Sequence, residues 1–393
     1  LERVANSFTG PRKQRYLDAL HSLETDPLTK RDALVRGFVK SEKFNPGDKV
    51  NPDPRMIQYR GHRYNIHLAS YLRPIEHQMW RMKEHNGFRL FAKGLDAEGR
   101  AMEVRRRFDR FEHCVCYSLD GSRWDKHVAR EILEVEHAVY KRLAPDPELY
   151  QLLDWQLVNK CQTMEGTKWR VRGARMSGDM NTALGNCVLM ATMVHAFTKK
   201  VGLRRWSLLD DGDDCLLFFT VEEEEKVREA LSREFLSYGQ EVKLENRATT
   251  PEQVVFCQSR PLWDGERWRL VRPWKKVLAQ GTSGVKHWNN PNSVRPMFTT
   301  LGWCELALSA GVPILQEYAL ALIRMGRGEQ LKTLDVDSGL AERVRAEVGS
   351  LEKAFLSKAR PVTLEARLSF DDAWGVDMWT QLEWEQRLKT WDL

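Results

Sequence analysis

A run of four aspartates around one glycine, Asp210-Asp211-Gly212-Asp213-Asp214, is the part of the sequence with the clearest chemical potential. Apolar stretches at 206–209 and 215–219 flank this run. An Asp-Gly step between two apolar stretches predicts a β-hairpin with the acids at its tip. Like charges this close raise one another's pKa, which makes the cluster costly. Taken alone, the run fits a solvated surface turn as well as a functional site.

A second acidic turn, from Asp120 to Asp125, follows a short apolar strand predicted at 114–119. If both strands belong to one sheet, their acidic ends converge on a shared cation site. Carboxylate oxygens suit Mg²⁺ or Mn²⁺ rather than zinc. Two such ions about 4 Å apart activate the attacking oxygen and stabilise the leaving oxygen in phosphoryl transfer. The two turns together therefore favour metal-assisted phosphoryl transfer over two accidental surface turns.

Three ordered motifs give the sequence its resemblance to a known family. They resemble motifs A, B and C of the RNA-dependent RNA polymerases of positive-strand RNA viruses. A lone Gly-Asp-Asp is common, but three ordered motifs at these spacings are specific. The strings at 175–187 and 256–259 are similar to those of the tombusvirus and carmovirus branch. The motif residues are Asp120 and Asp125 in motif A; Ser177, Gly178, Thr182 and Asn186 in motif B; and Gly212, Asp213 and Asp214 in motif C.

The resemblance extends towards the N-terminus. Residues 54–60, followed by 63–65, are similar to motif F, whose basic residues line the nucleotide channel in this family. Residues 8–13 resemble motif G, which lies near the template path. Lys40 and Lys43 lie in the lysine-bearing approach to motif F. The basic loop at 40–55 is longer and richer in Pro and Asn than expected, so the resemblance does not assign the exact motif F lysine. The resemblance covers about residues 8–262, and the C-terminal third matches only by position, as a thumb.

The resemblance implies a role for each acid of motifs A and C. Asp120 and Asp213 would be the main ligands of two Mg²⁺ or Mn²⁺ ions, with Asp214 also near the metals and the primer end. Lys243 stands where the family has a lysine that could protonate the pyrophosphate leaving group as a general acid. An ordinary surface lysine is the alternative interpretation of Lys243.

The resemblance also implies how a nucleotide is bound. A site built to hydrogen-bond a hydroxyl discriminates strongly against its absence, and Gly178 lets the backbone of a loop approach the template or ribose closely. Arginines engage triphosphate oxygens in bidentate fashion. The residues implied are Asp125, Ser177, Thr182 and Asn186 for the ribose 2′-hydroxyl, Gly178 for the loop, and Arg55 and Arg60 for the triphosphate.

Three positions depart from the family pattern. Asp210 and Asp211 stand before the Gly-Asp-Asp, where branch members often carry Asn. The extra charge could alter metal preference or face away from the site, and the sequence does not explain it. Trp124 replaces a more usual Phe, which a packed position should tolerate.

The expected fold is α+β: a right-hand polymerase with fingers, a palm containing an antiparallel sheet, and a thumb, mostly helical outside the palm. The predicted domains are fingers at 1–110 (motifs G and F), palm at 111–142 (motif A), a fingers insertion at 143–170, palm at 171–262 (motifs B to E) and thumb at 263–393. Periodicity predicts helices at 12–24, 29–40, 64–83, 126–143, 180–200 and 222–236, a loop at 44–55, and strands at 114–119, 206–209 and 215–219.

Bulk properties agree with a soluble enzyme that has a polyanionic partner. The 393 residues carry a net charge of +6, with 42% hydrophobic and 30% charged residues. The basic clusters 105–107, 199–200 and 204–205 are typical of solvated faces when each is taken singly. The seven cysteines form no Cys-x-x-Cys pair, which argues for a reducing compartment and against a zinc finger.

The expected partners are an RNA template, the nascent strand, ribonucleoside triphosphates, and viral or host replication proteins. The sequence has no membrane segment and begins with Leu1, so we expect it to be part of a longer product. Its expected location is the host-cell cytoplasm, in a replication complex associated with membranes through regions outside this chain.

Three rival functions are weighed against the polymerase. A reverse transcriptase would carry an aromatic residue near position 125 and would lack the Ser-Gly…Thr…Asn string. A non-catalytic RNA-binding domain derived from a polymerase would not need intact acids at 120, 213 and 214. A two-metal nuclease leaves residues 177–186 without a purpose.

Overall fold

The computed structural model describes residues 1–42, 52–283, 290–329 and 336–391, excluding the side chain of residue 338. The chain is a mixed α+β protein, as predicted. It divides into two compact units. The first comprises the described residues of Leu1–Glu42, Val50–Lys93 and Leu119–Glu245, and the second those of Gly94–Ser118 and Asn246–Leu393.

The strands are β1 (Val35–Val39), β2 (Met56–Arg60), β3 (Cys114–Gly121), β4 (Val158–Thr163), β5 (Lys168–Arg172), β6 (Trp206–Asp210), β7 (Asp214–Thr220), β8 (Val242–Ala248), β9 (Arg260–Trp263) and β10 (Trp268–Val271). The helices are α1 (Glu2–Asn6), α2 (Gly10–Thr25), α3 (His62–Met79), α4 (Ala97–Arg110), α5 (Trp124–His127), α6 (Arg130–Leu143), α7 (Pro147–Asp154), α8 (Thr182–Val201), α9 (Glu224–Ser237), α10 (Trp274–Gln280), α11 (Pro291–Ser309), α12 (Leu315–Gly326), α13 (Ser338–Val348), α14 (Leu351–Ala354), α15 (Leu364–Trp374) and α16 (Met378–Lys389).

One four-stranded sheet, in the order β6-β7-β3-β8, carries the acidic strand ends, and we call it the apolar sheet. The β6–β7 pair is antiparallel, with Trp206 opposite Phe219 and Asp210 opposite Cys215. Almost every residue of β3, β6 and β7 is buried, so these strands are covered on both faces. Continuous apolar runs of this length are what a strand buried on both faces requires.

A second four-stranded sheet, in the order β2-β1-β4-β5, is named here the basic sheet. Its strands contain Lys and Arg residues but no Asp or Glu. The β1–β2 and β4–β5 pairs are antiparallel, whereas β1 and β4 are parallel. Exposed residues alternate with buried residues in the first half of β4 and with half-buried residues in β5, so one face of this sheet is more covered than the other.

The apolar cores of the two units are separate clusters. In the first unit, α3, α6, α7 and α8 pack together through residues that include Leu68, Leu72, Tyr140, Leu152 and Leu184. In the second unit, α10 to α16 pack with β9 and β10 around a larger cluster. Within the described part of the chain, no helix has the length and apolar character needed to cross a membrane.

Most of the predicted elements are confirmed. The strand at 114–119, the hairpin at 206–219 and the helices at 12–24, 64–83, 180–200 and 222–236 correspond to β3, β6–β7, α2, α3, α8 and α9. The helix predicted at 126–143 is interrupted, since Val128 leaves helical geometry between α5 and α6. For the loop predicted at 44–55, residues 44–51 lie outside the described residues, as does Lys43.

The helix predicted at 29–40 is wrong. Residues Lys30–Ala33 form one 3₁₀ turn, and the chain then enters β1. Val35 and Gly37 are buried while Arg36 and Phe38 are exposed, which is the two-residue period of a strand. The run is too short for a helical and a strand period to be distinguished from sequence.

The run Glu222-Glu223-Glu224-Glu225 contains one buried carboxylate. Glu223 is buried, accepts a hydrogen bond from the Arg204 backbone N–H at 3.0 Å, and lies before the start of α9. This carboxylate therefore fixes the segment leading into β6.

Candidate active site

The acidic hairpin tip depends on one glycine. Gly212 has φ +103°, a left-handed conformation that favours glycine. A Cβ at this position would lie 3.3 Å from the Cβ of Asn186, so the tip packs closely against the start of α8. Asp213 is exposed beyond this contact and Asp214 begins β7.

The two additional aspartates before Gly212 shape the turn. Asp210 is fully buried, and its Oδ1 accepts the Gly212 backbone N–H at 2.6 Å. Burial raises the pKa of Asp210 well above its ordinary value. The Asp211 backbone N–H donates to the Asp214 carbonyl at 3.0 Å, and its carboxylate lies 3.1 Å from Lys93 Nζ. Asp210 therefore supports the turn and Asp211 pairs with Lys93.

The motif A turn follows the end of β3. Gly121 is required because a Cβ there would lie 2.8 Å from the ring of Trp124, which is buried beneath it. Arg123 adopts a left-handed conformation at φ +51°, and Asp125 follows on the short helix α5. Asp120 is exposed at the end of β3.

Asp125 and the hairpin tip are within electrostatic reach of each other. Burial raises the pKa of Asp125, and the negative charge of Asp213 adds to this rise, whereas Asn186 and Arg175 oppose it. Because β3 and β7 are neighbours in the apolar sheet, the structure brings the motif A turn and the motif C tip to one region of the first unit. This bears out the expectation that the two acidic strand ends share a sheet.

A hydrogen-bonded chain fixes the side chain of Asn186. Arg175 Nε donates to Asn186 Oδ1 at 3.0 Å, and Asn186 Nδ2 donates to Asp125 Oδ1 at 3.3 Å. The amide oxygen is thus used by Arg175, which leaves the amide nitrogen turned towards Asp125. The orientation of the Asn186 amide is therefore set by Arg175.

Glu136 lies at the other end of this chain. It is fully buried, pairs with Arg175, and accepts hydrogen bonds from Asn181 Nδ2 and Tyr140 Oη, each at 2.8 Å. Burial opposes ionisation of Glu136, but Arg175 outweighs it and the pKa is lowered. A Cβ at Gly185 would overlap this pair, so only glycine fits there.

The motif B loop is attached to the edge of the basic sheet. The Gly178 backbone N–H donates to the Gln58 carbonyl at 2.6 Å, and Ser177 Oγ accepts the Gln58 backbone N–H at 3.1 Å. A Cβ on Gly178 would lie 2.8 Å from the Gln58 carbonyl oxygen, so this close approach requires glycine. Thr182 Oγ1 donates to the Met176 carbonyl at 2.9 Å. In this conformation the hydroxyls of Ser177 and Thr182 make hydrogen bonds that hold the loop. Asp125 and Asn186 are hydrogen-bonded to each other.

Arg60 does not occupy the position predicted for it. Its side chain is buried, and its guanidinium donates to Asp179 at 2.8 Å and 3.2 Å, to the Ala33 carbonyl at 2.6 Å, and to Asn159. A buried arginine whose donors are already used is a structural group rather than a phosphate ligand. We therefore correct its assignment: Arg60 holds the motif B segment against the basic sheet.

Arg55, the other residue predicted to bind the triphosphate, is exposed. Its side chain forms a bidentate pair with Glu42, which also accepts from Lys40 Nζ at 2.9 Å. Glu42 raises the pKa of Arg55, and Asp213 contributes in the same direction. The Arg55 guanidinium lowers the pKa of Glu42 to about 2, so the carboxylate is ionised throughout the physiological range.

Sequence comparison places these residues in a family. The sequence profile described as "Viral RNA dependent RNA polymerase" matches residues 1–393. The chain belongs to the viral RNA-dependent RNA polymerase family. It is 37% identical over 391 residues to the RNA-directed RNA polymerase of Maize chlorotic mottle virus, covering 98% of this chain and 40% of that protein.

Two further members of the family are similar over nearly the whole chain. The RNA-directed RNA polymerase of Turnip crinkle virus is 35% identical over 95% of this chain and 48% of its own length. That of Tomato bushy stunt virus (strain Cherry) is 33% identical over 98% of this chain and 46% of its own length. The chain therefore spans about two fifths to one half of these polymerases.

Divalent cations are general for this polymerase family, and the donor set here fits them. Asp120 and Asp213 offer exposed carboxylate oxygens, the ligands that Mg²⁺ prefers. No three His, Cys, Asp or Glu side chains among the described residues lie close enough to form a metal site by themselves. Mg²⁺ is commonly bound by one or two carboxylates together with substrate phosphates, so an incomplete protein site suits it.

Lys243 is exposed on β8, the neighbour of β3 in the apolar sheet. This position agrees equally with a general acid of the polymerase and with a surface lysine, so its role stays a prediction. Sequence reasoning missed Glu136 altogether and assigned no role to Arg175. The available signals were an acid on the apolar side of an amphipathic helix and an arginine two residues before the motif B serine.

Proposed function

We propose that this chain is the catalytic region of a template-directed RNA polymerase that adds ribonucleoside monophosphates from NTPs to the 3′-hydroxyl of an RNA strand. The observation that carries the proposal is the meeting of the motif A turn, the motif C tip and the amide of Asn186 within one unit. The RNA template, nascent strand and nucleotides are the substrates that this activity requires.

In this proposal the chain adopts a right-hand arrangement. The basic sheet and the N-terminal helices belong to the fingers, the apolar sheet to the palm, and α10 to α16 to the thumb. The predicted boundaries at 110, 142 and 262 are retained as the proposed domain limits. The boundary predicted at 170 falls inside β5, so it is moved to the end of that strand at Arg172.

Asp120 and Asp213 are the proposed ligands of two Mg²⁺ or Mn²⁺ ions, with Asp214 beside them. When bound, the ions activate the attacking 3′-oxygen and stabilise charge on the leaving pyrophosphate. The buried carboxylate of Asp210 holds the Gly212 turn, so Asp213 is presented from a fixed backbone. Lys243 is the proposed proton donor to pyrophosphate.

Ribose selection follows from the orientation of Asn186. Because Arg175 takes the amide oxygen, Asn186 offers a donor and Asp125 offers an acceptor. A 2′-hydroxyl both accepts and donates, so it can bond to both side chains at once. A deoxyribonucleotide offers neither hydrogen bond, so Asp125 and Asn186 keep only their bond to each other and the nucleotide is bound less tightly. Ser177 and Thr182 support the loop and are proposed to contact the sugar only after the loop rearranges.

Arg55 and Lys40 are the proposed triphosphate ligands. Both cations are already paired with Glu42, so an incoming triphosphate must displace this carboxylate. A triphosphate carries more negative charge than one carboxylate, and its oxygens match the arginine fork. Glu42 thus holds Arg55 in position until a nucleotide arrives.

The test is RNA synthesis on a defined RNA template with Mg²⁺ and the four ribonucleotides. We expect template-dependent product from the wild-type chain and none above background from Asp213→Ala. Equal product from this variant would contradict the metal assignment. Asp125→Ala should retain synthesis with a reduced preference for ribonucleotides over deoxyribonucleotides, and an unchanged preference would contradict its sugar-sensing role.

A further inference from the structure

The two faces of the basic sheet differ in chemistry. One face is covered: Val35 and Cys161 are buried there and pack with Met176. Residues directly opposite each other in a ladder point to the same side, and successive residues alternate. The register places Lys160 opposite Arg170, and Arg36 opposite Tyr59. The second face consequently carries Arg36, Phe38, Tyr59, Lys160, Lys168, Arg170 and Arg172; we call it the basic face.

Among the residues that the structure describes, the positive charge of the basic face has no acidic partner. Its five cations are all exposed, and the four strands contain no Asp or Glu. Within the described part of the chain, none of the five makes an ion pair. Lys160 and Arg170 stand directly opposite each other, and like charges in that relation are destabilising. Concentrated uncompensated charge of one sign favours a ligand of the opposite sign.

Two aromatic rings lie on the same face. Phe38 is 46% exposed, and its ring meets that of Tyr59 edge to face, with centroids 5.8 Å apart. An apolar ring of this size exposed on a strand contributes little to folding. Beside cations, it offers a surface on which a nucleic-acid base can stack.

We propose that the basic face binds single-stranded RNA, with phosphates against the cations and bases against Phe38 and Tyr59. This inference rests on the proposed function, in which RNA is the polymer handled by the chain. The aromatic surface favours a single strand, because the bases of a duplex are stacked on one another and unavailable to side chains. The site is distinct from the acidic turns, since it is formed by the face of one sheet rather than by the strand ends of the other.

The first experiment measures the affinity of a fluorescent, unstructured RNA for the triple variant Lys160→Gln/Arg170→Gln/Arg172→Gln at several salt concentrations. Each lost phosphate contact lowers the slope of log affinity against log salt by about 0.7 for a single strand. Loss of three contacts should reduce the slope by about 2 and the affinity in low salt by about tenfold or more. Phe38→Ala should lower the affinity about tenfold with an unchanged salt slope, because stacking carries no charge.

A charge-matched control separates the basic face from the effect of net charge. Lys199→Gln/Arg205→Gln/Arg228→Gln removes the same charge from exposed positions elsewhere in the first unit. This control should keep the wild-type affinity and slope. Circular dichroism melting of both triple variants checks that each remains folded.

Three results would overturn the inference. The first is equal RNA affinity and salt slope in the basic-face triple variant and its charge-matched control. The second is a basic-face triple variant that loses as much affinity for duplex RNA as for single-stranded RNA. The third is a basic-face triple variant that loses binding to anionic lipid vesicles but keeps its RNA affinity. Asp213→Ala distinguishes this inference from the proposed function: it should abolish synthesis while leaving RNA affinity unchanged. An inactive wild-type chain whose RNA affinity still depends on the basic face would contradict the proposed function alone.

Discussion

The apolar sheet and the basic sheet have the same kind of backbone hydrogen bonding but differ in how far their faces are buried. In the apolar sheet, strands such as β7 are buried on both faces, so functional groups can stand only where the strands end. In the basic sheet one face is open, and charged and aromatic side chains stand along the strands. The first arrangement gives rigid support to a few acids at one point. The second gives an extended surface suited to a polymer.

The motif B segment links these two sheets. Gly178 is hydrogen-bonded to the edge of the basic sheet, while Asn186 packs against Gly212 at the tip of the apolar sheet. Two buried ion pairs, Arg60–Asp179 and Arg175–Glu136, hold the segment between them. We therefore expect a change in either sheet to alter the proposed nucleotide selection through the motif B segment.

The largest expected effect comes from breaking the second of these pairs. Arg175→Leu leaves Glu136 buried without its partner, which should destabilise the chain by about 3–5 kcal/mol. It also frees the Asn186 amide, so the ribo-to-deoxyribonucleotide ratio of kcat/KM should fall. Urea unfolding and single-nucleotide addition kinetics measure the two effects.

Two further variants separate orientation of Asn186 from stability. Arg175→Leu/Glu136→Gln removes the uncompensated charge and should recover much of the stability, while sugar preference stays weak. Arg272→Leu breaks a comparable pair with buried Glu305 in the second unit and should cost stability without changing sugar preference. A double variant with wild-type preference would mean that Arg175 does not position Asn186.

The next prediction compares a buried residue of the apolar sheet with an exposed residue of the basic face. Leu217 is fully buried in β7, so Leu217→Ala should cost about 2–5 kcal/mol. Phe38 is 46% exposed on the basic face, so Phe38→Ala should cost less than about 1 kcal/mol despite removing a larger side chain. Chemical denaturation of both variants provides the measurement. Similar losses would show that the basic face is covered in the folded chain.

The same contrast explains what the sequence could predict. Continuous apolar runs identified β3 and the β6–β7 hairpin, because a strand buried on both faces has a distinctive composition. The alternation in β1 extends over only five residues and was mistaken for a helix. Motif spacing identified Asp120, Asp125 and Asn186 as residues of one candidate site.

Partners that come from distant positions could not be predicted. Glu136 and Arg175 are 39 residues apart, and Arg60 and Asp179 are 119 apart, so neither ion pair has a local signature. Arg60 illustrates the consequence: its residue type fitted a triphosphate, but the fold surrounds it with acceptors. The cations of the basic face were missed for the same reason. They come from strands that are far apart in the sequence and share one face only because β1 pairs with β4.

A smaller effect is expected where motif B meets the edge of the basic sheet. Gly178→Ala places a Cβ 2.8 Å from the Gln58 carbonyl oxygen, so the loop must move and stability should fall by about 1–3 kcal/mol. Synthesis should slow because the loop carries residues that are proposed to bind the nucleotide. Gly61→Ala is the matched control, since its Cβ would lie 3.9 Å from the nearest atom. Equal stability and rate in both variants would show that the loop adapts without cost.

The smallest effect tests the basic face through stability. Lys160→Glu converts a like-charge pair with Arg170 into an attractive one, so it should stabilise the sheet by about 0.2–1 kcal/mol. The same change should weaken RNA binding, because it places a negative charge among the cations. We expect the free energy of unfolding in urea to rise and the RNA affinity to fall. Lys199→Glu is the control, because Lys199 lies on a helix and has no cross-strand neighbour. A Lys160→Glu variant that loses both stability and RNA affinity would contradict this prediction. The weakened binding would then reflect damage to the sheet, and the Lys160–Arg170 pair would not be destabilising.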